Sequence, residues 1–220
     1  MARHYRFISA DSHYESPPEH WTHRVAEKYR DRAPRRIKLA NGKDALAMEG
    51  KPLVYGGTSL YGGRAPEVFD PTQLDYDNTP GCGPAEQRLR EQDQDGIDAE
   101  VLFALDVRNS SIRDKAARIG VVQGFNDFFA EEYCAVDSDR LIGMAVLPNS
   151  GVAEDIAEME RCKRLGLKGA WLSTFPTGKG FPTLEDDRFE FHVRRRHTDH
   201  FIVGAWTKTT VANAKEYSDT

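Results

Sequence analysis

LIGMAVLPNSGVAEDIAEMERCKRLGLKGAWLS, residues 141–173, decides the fold. It opens on one apolar run, Leu141–Leu147, and closes on another, Leu167–Ser173. Between them Val152, Ile156, Met159 and Cys162 fall three or four apart, the stripe of a single helix face. Gly166 stands where that helix should stop. Near-continuous apolar strands joined by a helix are the pattern of a right-handed βαβ unit, with parallel strands covered on both faces.

The same alternation extends outward. AEVLFAL (Ala99–Leu105) reads as a strand, preceded by a charged helix in GPAEQRLREQDQDGID that carries Leu89 and stops at Gly96. From Asp114 to Val136, Ile119, Val122, Phe125, Phe129 and Tyr133 mark one helix face, and Asn126 and Asp127 interrupt its middle as at a kink. YRFISA (Tyr5–Ala10) and FIVGAW (Phe201–Trp206) are the first and last strand-like runs. The class is therefore α/β, either an open doubly wound sheet or a (β/α)8 barrel. A nucleotide-binding open sheet normally carries a glycine-rich turn after its first strand. Here that turn is DSHYESPP, without glycine, which favours the barrel.

With 220 residues the chain is long enough for one domain with a substantial core. Hydrophobic residues make up 39% and charged residues 30%, the balance of a polar globular protein. A net charge of -5 supplies no electrostatic case for nucleic acid. No apolar run approaches a membrane span, and MARHYRF lacks the apolar segment of a secretory signal. The cysteines, Cys82, Cys134 and Cys162, are odd in number and lack paired metal spacing. They predict no disulfide framework, core-filling roles for Cys134 and Cys162, and a reducing cytoplasm.

Residues 22–84 are long and irregular, and are expected to be an insertion lying over the barrel mouth as a lid. Asn41-Gly42 between two strand-like pieces is a hairpin turn signal. YGGTSLYGG lacks the Gly-Lys-Ser/Thr ending of a phosphate loop, and DQDGID lacks the ligand series of a calcium loop. HRVAEKYRDRAPRR reads as a solvated face.

The chemistry-bearing stretch is ISADSHYESPPEHW, residues 8–21. In a parallel barrel the active site forms at the C-terminal strand ends, which is where Asp11 and His13 are expected. Residues two apart in extended chain share a side. A carboxylate and an imidazole can then offer oxygen and nitrogen to a cation such as Zn2+, with Glu15 as third contact or as a partner fixing the histidine tautomer. Read blandly, Asp-Ser-His is only a turn with an Asp cap.

Four stretches in order, ISADSHYESPPEHW, QRLREQDQDGIDAEVLF, FNDFFAEEYCAVDSDRLIGMAVLP and AEMERCKRLGLKGAWLS, resemble the amidohydrolase superfamily. The resemblance is to amidohydrolase family 2, the branch of aminocarboxymuconate-semialdehyde decarboxylase-like enzymes. It implies a distorted (β/α)8 barrel with one divalent metal, Zn2+ or Mn2+. Asp11 and His13 would be the metal pair on the first strand, Asp11 replacing the first histidine of the commoner His-x-His pattern. The implied reaction is hydrolysis or non-oxidative decarboxylation of a small organic acid. A small-molecule carboxylate is the expected partner, and a homo-oligomer is a separate expectation.

That family expects further ligands: a histidine ending strand five, another after strand six, and an aspartate ending strand eight. FIVGAWTK carries no histidine at its C-terminal end, and His200 precedes the run. Residues 188–220 diverge, with Arg194–Arg196 in apolar positions and His192 and His197 in charged surroundings. The expectation is a truncated or frame-shifted barrel of about five strands, weakened or inactive. The competing reading is a non-catalytic remnant that binds a partner or oligomerises; an open-sheet nucleotide binder ranks third.

Overall fold

The computed structural model describes residues 3–38, 40, 44–49, 51–53, 65, 67, 76, 79–104, 107, 111–172, 175–177, 183–189 and 202–205. β1 (Ile8–Tyr14) opens the chain, and α1 (Glu27–Arg30) and three short strands follow: β2 (Arg35–Lys38), β3 (Asp44–Met48) and β4 (Lys51–Leu53). Then come α2 (Ala85–Asp95), β5 (Ala99–Ala104), α3 (Lys115–Phe128), β6 (Leu141–Val146), α4 (Val152–Leu165), β7 (Gly169–Leu172) and β8 (Ile202–Ala205). Five strands form one parallel sheet in the order β1-β5-β6-β7-β8. This order is that of consecutive strands of a (β/α)8 barrel, and the described strands form part of such a barrel.

The helix boundaries follow local chemistry. Asp114 caps α3, its carboxylate accepting the Ala117 N–H at 2.7 Å. Gly166 ends α4 in the left-handed region, φ 100°, and the Leu167 N–H reaches back to Cys162 O. α3 and α4 cover one face of the sheet, and Leu102, Ala104, Leu141, Ala145, Ala170 and Leu172 join their apolar faces in one core.

Two expectations are corrected. β1 does not stop before the Asp-x-His motif but runs through it to Tyr14, which pairs with Ala104. The physical reason lies in packing: Tyr14 is buried among Phe125, Phe129 and Tyr133, with its ring centroid 4.6 Å from that of Tyr133. The polar sequence of the motif concealed a strand whose last residue belongs to the core. Residues ahead of it are pinned instead by Asp98, which accepts the N–H groups of Arg6 and Phe7.

Nor do Asn126 and Asp127 break α3. Asn126 is fully buried, its amide donating to Val146 O and Glu158 while its oxygen accepts the Val146 N–H at 3.0 Å. The polar interruption is thus a clamp from helix to strand. The irregularity comes later, in a π-helical turn over Phe129–Tyr133 that carries two of the rings packed on Tyr14.

The three short strands form an antiparallel sheet separate from the parallel one, with Lys38 opposite Asp44. The turn at Asn41-Gly42, the YGGTSLYGG stretch and the histidine- and arginine-rich tail at 190–201 lie outside the described residues. The segment leading to β2 is docked on α3 through two glycines one turn apart. A Cβ at Gly124 would fall 2.7 Å from the Val25 backbone, and one at Gly120 would fall 2.3 Å from the Tyr29 ring.

Candidate active site

A bulge between Ser9 and Ser12 adds one residue to β1 against β5. Beyond it the alternation is clean. Tyr14 faces the helix layer, so its neighbour His13 faces the other way, with Asp11 on the same side as His13. The side chains confirm it: His13 Nε2 stands 3.6 Å from Asp11 Oδ1. Both are open to solvent, Asp11 at 78% and His13 at 41% side-chain exposure, so a ligand can reach them. His13 pairs with Phe103 near the C-terminal end of β5, the end where barrel chemistry collects.

Ligand atoms about 2.1 Å from one cation stand roughly 3.0–3.5 Å apart at angles between about 90° and 109°. The Asp11–His13 spacing therefore fits a shared divalent cation after a few tenths of an ångström of adjustment. Glu15 lies past the strand end and is buried. The structure brings Asp11 and His13 together; among the described residues no three His, Cys, Asp or Glu side chains gather as a metal-holding group.

Behind the motif lies a cleft of about 600 Å3, lined by His13, Glu15, Gly81, Arg88, Gln92 and Glu100, among others. Its wall is an ion pair that the sequence did not disclose. Arg88 Nε and Nη2 donate to the two oxygens of Glu100 at 2.7 and 3.0 Å, a two-pronged contact with both partners nearly buried. Arg88 Nη1 also donates to His13 O at 3.1 Å and so ties α2 to the end of β1. Burial alone would raise the Glu100 carboxyl, but Arg88, Gln92 and Ser12 outweigh it and hold it below its usual range. Arg88 belongs to a stretch that reads as a charged helix, and Glu100 sits in an apolar run. No local signal links the two.

No protein-family model and no curated protein matches the sequence. Among solved structures, the chain is similar to an amidohydrolase from Mycobacterium avium subsp. paratuberculosis K-10. The TM-score is 0.56 at 18% identity, over 77% of this chain and 50% of that one. It is also similar to 5-carboxyvanillate decarboxylase from Novosphingobium aromaticivorans DSM 12444, solved with manganese and 4-hydroxy-3-methoxy-5-nitrobenzoic acid. There the TM-score is 0.51 at 18% identity, over 86% of this chain and 47% of that one. The chain spans about half the length of either protein. The likeness is one of fold.

Proposed function

We propose that this chain is a metal-dependent enzyme of the amidohydrolase class, a hydrolase or non-oxidative carboxy-lyase acting on a small organic acid. The observation that carries the reading is the Asp11–His13 pair, on one face of β1 at the sheet end where such barrels hold their chemistry. The fold likeness to an amidohydrolase and to a manganese-containing decarboxylase supports it.

In this reading Asp11 and His13 hold a divalent cation, Zn2+ or Mn2+, and Glu15, which does not gather with them in the structure, has to shift to become the third ligand or to orient His13. Such a cation polarises a substrate oxygen or acidifies a bound water. The protein's own part is positional: Arg88, locked to Glu100, grips His13 O and fixes the strand end that carries the imidazole. Residues 22–84 leave the chain directly after this motif and serve as the lid. The substrate is a small carboxylate, and the three buried free thiols suit a reducing cytoplasm.

The test is to purify the chain without added metal and measure bound metal by mass spectrometry. Zn2+ and Mn2+ affinity and turnover of small aromatic carboxylates are then compared with an Asp11→Ala, His13→Ala variant. Metal affinity should fall at least about tenfold in the variant, in line with loss of ligands. Equal metal content and affinity in both proteins would remove the basis of the proposal.

A further inference from the structure

Asp155 is a buried carboxylate that the proposed chemistry does not use. It lies in the first turn of α4, with no exposed surface. One oxygen accepts the Ser150 N–H at 3.3 Å and the Asn149 N–H also acts on the carboxylate, while Oδ2 is buried with no partner within hydrogen-bond distance. Its charged surroundings are sparse. Glu154 on the same helix is engaged with Lys115 of α3 at 2.6 Å. Arg118 of α3 spends its donors on Ile112 O and Asn149 O rather than on the carboxylate. The loop of residues 147–151 contributes no titratable group.

That loop also turns sharply. Within three residues, Asn149 has φ 49° and Gly151 φ 129°, left-handed positions filled by the two residue types that adopt them most readily. It is held by Asp155 through the Ser150 N–H and by Arg118 through Asn149 O. An anion with an unpartnered oxygen in a buried site is costly, whereas the neutral acid is much less so.

We propose that Asp155 is a proton-operated latch on the loop leaving β6: neutral, it stays packed beneath Ser150 and holds the turn closed; ionised, it draws in water and lets the turn open. The β6 loop lies at the same end of the parallel sheet as His13, so the latch acts at the rim of the candidate site. Burial pushes the Asp155 carboxyl up to about 7, with Glu154 adding to it and the Ser150 and Asn149 N–H groups and Arg118 opposing it. The change therefore falls in the physiological range. An opened loop returns the carboxyl to its ordinary value near 4, so closure is favoured at low pH and weakens as pH rises towards 7.

The experiment follows, by NMR on the isotope-labelled full chain, the Asp155 carboxyl carbon shift and the Ser150 amide exchange protection, corrected for intrinsic rate, from pH 4.5 to 8. The expected midpoint is near 7. Protection should fall about tenfold per pH unit between about pH 5 and 6.5 and level off above 7. Asp155→Asn should hold its protection constant. A wild-type midpoint below about 5, Ser150 protection that ignores the titration, or an Asn variant with the wild-type profile each overturns the latch. Should that variant not fold, the two wild-type readings decide the matter.

Discussion

At the scale of single residues, the hidden contacts are polar. Arg88 and Glu100 are both nearly buried, so removing one partner strands the other. Arg88→Met should cost about 3–5 kcal/mol in urea unfolding, while the double change Arg88→Met, Glu100→Leu should recover most of it. Equal losses in the single and double variants would show that the charge pairing is not what matters. Asn126 is comparable: Asn126→Leu leaves the Val146 N–H and C=O without their side-chain partner, and about 3 kcal/mol of stability should go with it. Cys134 and Cys162 are buried, and burial raises both thiols well above their usual range. Neither should be alkylated by iodoacetamide until the chain unfolds, as read by peptide mass spectrometry.

At the scale of elements, α3 is the hub. Its inner face meets the sheet, Asn126 clamps β6, and Gly120 and Gly124 let Tyr29 and Val25 lie directly on its backbone. In an exposed helix, Gly→Ala gains about 1 kcal/mol. At Gly124 the new methyl meets the Val25 backbone, which cannot swing aside as a side chain can. Gly124→Ala should therefore destabilise by about 1–3 kcal/mol despite its propensity gain, with amide exchange rising first in residues 22–33. A stabilised variant with unchanged exchange there would mean that the docking is looser than the contact implies.

For the whole molecule, two buried carboxylates pull stability in opposite directions with pH. Glu100 is held below its ordinary value, so its contribution is present above about pH 4.5 and is lost as pH falls through the depressed folded value. Asp155 is raised to about 7, so its contribution is present below about pH 4 and is lost as pH climbs to 7. Thermal midpoints should peak in mildly acid solution. Asp155→Asn should flatten the decline towards neutrality and leave the acid limb intact.

The sequence by itself determined the class of fold. Apolar runs of strand length, stripes at helical spacing and stop glycines such as Gly96 and Gly166 are local signals, and each element reports them without its neighbours. It also pointed to the Asp11–His13 pairing through their two-residue spacing, although Asp11 falls within the β1 bulge and it is the folded strand that keeps the two 3.6 Å apart. Only the tertiary structure decided where β1 ends, what Asn126 does, and which helix grips the motif. Tyr14 is a strand residue because α3 supplies its aromatic surroundings; Asn126 is a clamp because β6 lies beneath it. Arg88, far along the chain from His13, reaches its backbone only because α2 returns over β1. Such contacts join side chains through the folded backbone, and no local pattern encodes them.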